Sequence, residues 1–104
     1  MFDAIEVRVR CFAVPENLRR TGVKCFAQAV LSESIMIDGL TVRRTAGGDV
    51  VVTWPERKDS AGRLHAIVRL LDSETRADVE HAVLVQAAAG GWIELSPEQQ
   101  RGAP

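Results

Sequence analysis

The sequence predicts an α+β domain, an antiparallel β-sheet of about five strands followed by one C-terminal α-helix. Three observations carry that prediction. Ile5 to Phe12 alternates, with the apolar Ile5, Val7, Val9 and Cys11 between Glu6, Arg8 and Arg10, which is the period of a half-buried strand. Asp49 to Lys58 opens with Val-Val-Val-Thr-Trp, residue types that favour extended backbone. At Asp72-Ser73 the period changes, and Val79, Ala82, Val83 and Ala87 recur at helical spacing.

In chain order, the first strand places Ile5, Val7, Val9 and Cys11 on one face and Glu6, Arg8, Arg10 and Phe12 on the other. Pro15, Asn17 and Gly22 mark a loop with Arg19 and Arg20 at its tip, and Val23 to Leu31 returns to an extended pattern. These two runs read as a hairpin with a long loop. Ser34 to Arg44 forms a third strand, whose alternation is interrupted at Asp38-Gly39, a signal for a β-bulge. Ala46-Gly47-Gly48-Asp49 tolerates positive φ, so the third strand turns back into the valine strand. Pro55 lacks an N–H for the ladder and ends that strand just before Arg57 and Lys58. Asp59-Ser60-Ala61-Gly62 is a further turn, and the alternation from Leu64 to Leu70 reads as a fifth strand. Asp72 or Ser73 caps the helix, and Gly90-Gly91 stops it. Trp92, Ile93 and Leu95 are placed to pack back onto the body, and Ser96-Pro97-Glu98 opens a polar, disordered tail.

With 104 residues the chain makes one domain with a modest core, read as residues 1–90 with a tail over residues 91–104. Mean hydropathy is −0.01, and no apolar run approaches the length of a membrane span. Asp3 and Glu6 stand where a secretory signal carries positive charge, so a cytoplasmic location is expected. The net charge of −1 conceals an uneven distribution. From Arg8 to Arg69 there are eleven Lys or Arg against six Asp or Glu, whereas from Asp72 onward six acids face only Arg76 and Arg101. Such asymmetry speaks to partners rather than to fold.

Catalytic chemistry has little to work with. His65 and His81 lie near no plausible nucleophile, and no Gly-rich phosphate loop appears. Cys11 and Cys25 sit in strand patterns and lack the spacing of a zinc site, so buried thiols are expected, with no metal and no cofactor. Arg57 and Lys58 follow Pro55 in what reads as an exposed loop, where two cations have the charge and reach to contact phosphates. Arg43 and Arg44 at a strand end and Arg63 across the next turn extend that candidate site. From charge alone, a solvated loop is the simpler reading. The outer faces of the first hairpin also interleave basic and aromatic residues: Arg8, Arg10 and Phe12 beside Lys24, Phe26 and Gln28. Stacking platforms for single strands look like this, but aromatics are few and the preferred reading is structural, with Phe12 and Phe26 covering the sheet's second layer and the arginines at its rim.

Several segments together resemble the stage V sporulation protein G family of small bacterial regulators. They are Val7-Arg8-Val9-Arg10, Ile37-Asp38-Gly39-Leu40-Thr41-Val42, Val52-Thr53-Trp54-Pro55-Glu56-Arg57-Lys58 with Gly62 following, and Ser73-Glu74-Thr75-Arg76 leading to Ala82-Val83-Leu84. The resemblance runs from about Ile5 to Leu84 and rests on the order and spacing of these pieces. It implies an α+β homodimer that binds DNA and RNA and acts in septation, sporulation or virulence gene control. Three features depart from the family pattern: a longer loop from Val14 to Gly22, Arg69-Leu70 in place of His-Pro, and the tail from Gly90. The helix, with Glu74, Asp78 and Glu80 against Arg76 and His81, is also more acidic than expected of a nucleic-acid binder.

The expectation is a non-enzymatic, homodimeric nucleic-acid-binding regulator that docks Arg57, Lys58, Arg43, Arg44 and Arg63 on phosphate backbones. The alternative is a protein-interaction module whose acidic helix engages division or transcription proteins without binding nucleic acid.

Overall fold

The computed structural model describes residues 5–95 of the chain. The polar tail expected from Ser96 onward lies outside the described residues. Eight elements follow in order: β1 (Val7–Phe12), α1 (Glu16–Arg19), β2 (Val23–Leu31), β3 (Ile35–Arg44), β4 (Val50–Thr53), β5 (Glu56–Lys58), β6 (Leu64–Ala66) and α2 (Ser73–Ala89). Strands β1 to β4 form an antiparallel meander in chain order, and β5 and β6 pair as a separate two-stranded sheet. The fold is therefore α+β, with one main helix after the strands.

Side-chain alternation decides which sheet face is buried. Cys25, Ala27, Ala29 and Leu31 of β2, with Ile37, Leu40 and Val42 of β3 and Val50 of β4, form one apolar layer. Val79, Val83 and Ala87 of α2, spaced by one helical turn, complete it. The centre of β2 on this face is made of small side chains, and Cys25, Ala27 and Ala29 are all sealed beneath the helix. Small residues there let α2 sit close to the sheet, where dispersion contacts are densest.

The local signals at the turns act as expected. Leu40 pairs with Ala27 and Ile37 with Ala29, which leaves Asp38 and Gly39 opposite Gln28 alone. This is a β-bulge, and Gly39 adopts φ +81° within it. The β3–β4 turn closes through Thr45 N–H to the Asp49 carbonyl at 2.8 Å, with Gly48 at φ +91°. Asp72 caps α2 by accepting from the Thr75 N–H at 3.1 Å. At the other end, Trp92 N–H reaches the Ala87 carbonyl and Gly91 N–H the Ala88 carbonyl, a Schellman arrangement with Gly91 at φ +81°. The chain then returns Ile93 to the core, with Trp92 and Leu95 packed against it.

Two sequence expectations are corrected. The loop after β1 contains a single helical turn, α1, led by Pro15 at its N-cap. The expected fifth strand from Leu64 to Leu70 is shorter and does not join the main sheet. Only Leu64–Ala66 is a strand, because its partner β5 is confined to three residues between Pro55 and the Asp59 turn. Val68 and Leu70 leave the ladder and pack against the core instead. Among the described residues, no helix is long and apolar enough to cross a membrane.

Candidate nucleic-acid interface

Arg57 and Lys58 lie in strand β5 rather than in a loop. Arg57 pairs with His65 and Lys58 with Leu64, so the two cations point to opposite faces of a projecting hairpin. The Ile67 N–H bonds the Pro55 carbonyl at 3.0 Å and closes the hairpin at its base.

Asp59 holds the tip. One of its carboxylate oxygens accepts from the N–H groups of Ala61 and Arg63, each at 2.9 Å, and the other contacts His65 Nε2 at 2.7 Å. These bonds, first the one from His65 and then that from the Arg63 backbone, hold the Asp59 carboxyl below the usual carboxylate range. Gly62, at φ +83°, lets the tip turn in a conformation that side-chain-bearing residues resist. Arg63 lies directly across the turn, its carbonyl accepting from Asp59 N–H at 2.9 Å. Asp59, next to Lys58, is thus committed to holding the turn, while Glu56 stands exposed beside Arg57 in the same strand. Among the described residues, ion pairs join Arg8 to Glu33, Arg20 to Glu16, His65 to Asp59 and Arg76 to Glu80, and none involves Arg57, Lys58 or Arg63.

The other two candidate cations are elsewhere. Arg43 pairs with Val51 and Arg44 with Val50, at the start of β4, whereas the hairpin follows the far end of that strand. Arg43 and Arg44 also point to opposite faces of the main sheet, and Arg44 Nη1 donates to the Gly48 carbonyl at 3.3 Å. The fold instead gathers these two near Lys24 and the α1 segment. Arg44 N–H bonds the Gly22 carbonyl at 2.8 Å, and Val23 pairs with Arg43 across a second bulge. This second basic end was hinted at in the sequence only by the Arg19-Arg20 pair next to Gly22.

A cleft of about 490 Å³ opens between β4, the segment after β6 and the start of α2. Val52, Trp54, Val68 and Leu70 supply apolar walls, and Glu56, Arg69 and Arg76 the charges. Leu71, which lines this cleft, is 96% exposed, and Leu64 and Ile67 on and after the hairpin are each 59% exposed.

The cysteines are in mutual contact, Cys25 inside the core and the half-buried Cys11 packed against it. Burial, assisted by the neighbouring Cys11 thiol, pushes the Cys25 thiol up to about 12, and burial raises Cys11 as well. Burial thus favours the protonated thiol at both positions. Among the described residues, no group of three or more His, Cys, Asp or Glu gathers as a metal site. No protein-family model matches the chain, and neither does any curated protein.

Proposed function

We propose that the chain is a homodimeric DNA- and RNA-binding regulator of the septation and sporulation type, acting in the cytoplasm without catalysing a reaction. The observation that carries the reading is the β5–β6 hairpin, in which Arg57, Lys58 and Arg63 project on a short, closed support while Asp59 is occupied by the turn. Cations without intramolecular partners release counterions when they meet phosphates, which makes such contacts favourable and salt-dependent. The resemblance to the stage V sporulation protein G family supports the same reading. Dimerisation is supported by the exposed Leu64, Ile67 and Leu71 and by β4, which pairs with β3 alone and leaves its other edge free of main-sheet partners.

A second reading, a protein-interaction module that engages division or transcription proteins, is favoured by Glu74 and Asp78, which are exposed on α2. Gel-shift titration with duplex DNA and with RNA at two salt concentrations separates the two. Binding that weakens steeply with salt is expected; absence of salt-sensitive binding to either polymer leaves the interaction module standing. The mass in solution at micromolar concentration tests the dimer, and a monomeric mass overturns it.

A further inference from the structure

Opposite α2, the four-stranded sheet presents a face that, among the described residues, no second sheet or long helix covers, since α2 packs on the other side and only the short α1 also contacts β2. Across its middle runs a row set by the strand register: Phe12 beside Phe26, Phe26 beside Thr41, and Thr41 beside Thr53. The two aromatic rings are adjacent and both half-buried, not sealed. Arg10 lies two residues before Phe12 on the same face, its guanidinium 5.4 Å from the ring centroid. Arg43, next along β3 from Thr41 on this face, has no ion-pair partner among the described residues. Of the five cations in these strands, Arg8, Arg10 and Arg43 lie on this face, Arg8 paired with Glu33 at 2.7 Å, whereas Arg44 points to the other; the single acid in the strands, Asp38, accepts from the Gly39 N–H. The acids of the helix, Glu74, Asp78 and Glu80, lie in the opposite layer.

We infer that this open face is a binding platform for single-stranded nucleic acid, with bases stacking on Phe12 and Phe26 and the backbone following Arg10 and Arg43. Charge complementarity selects the occupant: a polyanion with flat, apolar bases matches adjacent aromatic rings among cations, whereas an acidic peptide would leave the rings unused. Aromatic stacking accepts any base, so the platform is tolerant of sequence. This inference deepens the nucleic-acid reading and rests on it, but it uses a different surface from the β5–β6 hairpin.

The test compares wild-type protein with Phe26→Leu, Phe12→Leu and Arg10→Gln variants by fluorescence anisotropy. The probes are labelled 12-nucleotide dT and U oligomers and a labelled duplex. Leucine keeps most of the apolar cover and removes the stacking face, and circular dichroism establishes that each variant is folded. If Phe26→Leu is not folded, Phe12→Leu and Arg10→Gln carry the test. The expected result is about ten-fold weaker single-strand binding for each ring replaced, with duplex binding nearly unchanged. Unchanged single-strand affinity in folded variants overturns the platform. So does a variant that loses a dimer mass together with all binding, because the face is then a subunit interface. Duplex binding without single-strand binding defeats this inference alone, whereas binding to neither polymer defeats the nucleic-acid reading itself.

Discussion

Trp54 donates its indole N–H to Glu80 at 2.6 Å, joining the end of β4 to the second turn of α2 across 26 residues of chain. Arg76 completes the group: its Nε bonds the same carboxylate oxygen at 3.1 Å, and its guanidinium lies 5.8 Å from the Trp54 ring centroid. The stop in β4 and the placement of the helix are thus coupled through one carboxylate. Trp54→Phe keeps a ring under Arg76 and removes the donor. It is expected to lower unfolding free energy by about 1–2 kcal/mol, since Glu80 is part-exposed and retains Arg76. Urea denaturation measures this, and a change within the error of the titration means the bond contributes nothing.

Gly22 is held against β3. Its φ is +99°, and a Cβ there would lie 2.8 Å from the Arg44 carbonyl oxygen. Gly22→Ala therefore meets both a disfavoured dihedral and a backbone clash, and a loss of more than about 1 kcal/mol is expected. Gly47→Ala, where the nearest atom is the Thr45 hydroxyl oxygen at 3.8 Å, is the control and should be close to neutral. Equal effects at the two positions would refute the close approach.

Acid should loosen both the helix start and the hairpin tip. Hydrogen bonds from the Thr75 hydroxyl and backbone N–H hold Asp72 below the usual carboxylate range, and those from His65 and the Arg63 backbone do the same for Asp59. For a carboxyl lowered on folding, the stabilisation is fully present above its unfolded value of about 3.9 and disappears as pH falls through the folded value. Thermal midpoints should accordingly be flat near neutrality and decline below about pH 4. Asp72→Asn keeps the cap but cannot titrate, so its midpoint should fall less between pH 5 and pH 3 than that of the wild type. Parallel curves would exclude Asp72 from the acid response.

Arg57→Ala combined with Lys58→Ala tests the hairpin directly. If each cation meets one phosphate, the slope of log affinity against log salt should flatten by about 2, with binding weakened across sequences alike. Because the two side chains point to opposite faces of the hairpin, the single variants carry extra information. A flattening by about 1 in each means that the nucleic acid surrounds the hairpin, and an effect in only one means that a single face is used.

By itself, the sequence determined the features that are local in the chain. Alternation in β1 and the valine run of β4, the Gly39 bulge, the Gly48 turn, the Asp72 cap and the Gly90-Gly91 stop all depend on residues within a few positions of one another, and all were legible. Strand β5 was not, because Glu56-Arg57-Lys58 has no apolar alternation and becomes a strand only by pairing with Leu64–Ala66. The candidate cations were legible as residues but not as a group: tertiary structure sends Arg57, Lys58 and Arg63 to one end of β4 and Arg43 and Arg44 to the other. It also decided that Phe12 and Phe26 face outward without a second layer. Among the described residues α2 is the one long helix, and it covers one face of the sheet. Cys25, Ala27 and Ala29 give α2 its close-packed seat on that side, so the basic and aromatic face lies opposite the helix with its two rings half-buried. Pairing partners far apart in sequence carry no local signature, which is why the fold alone assigns them.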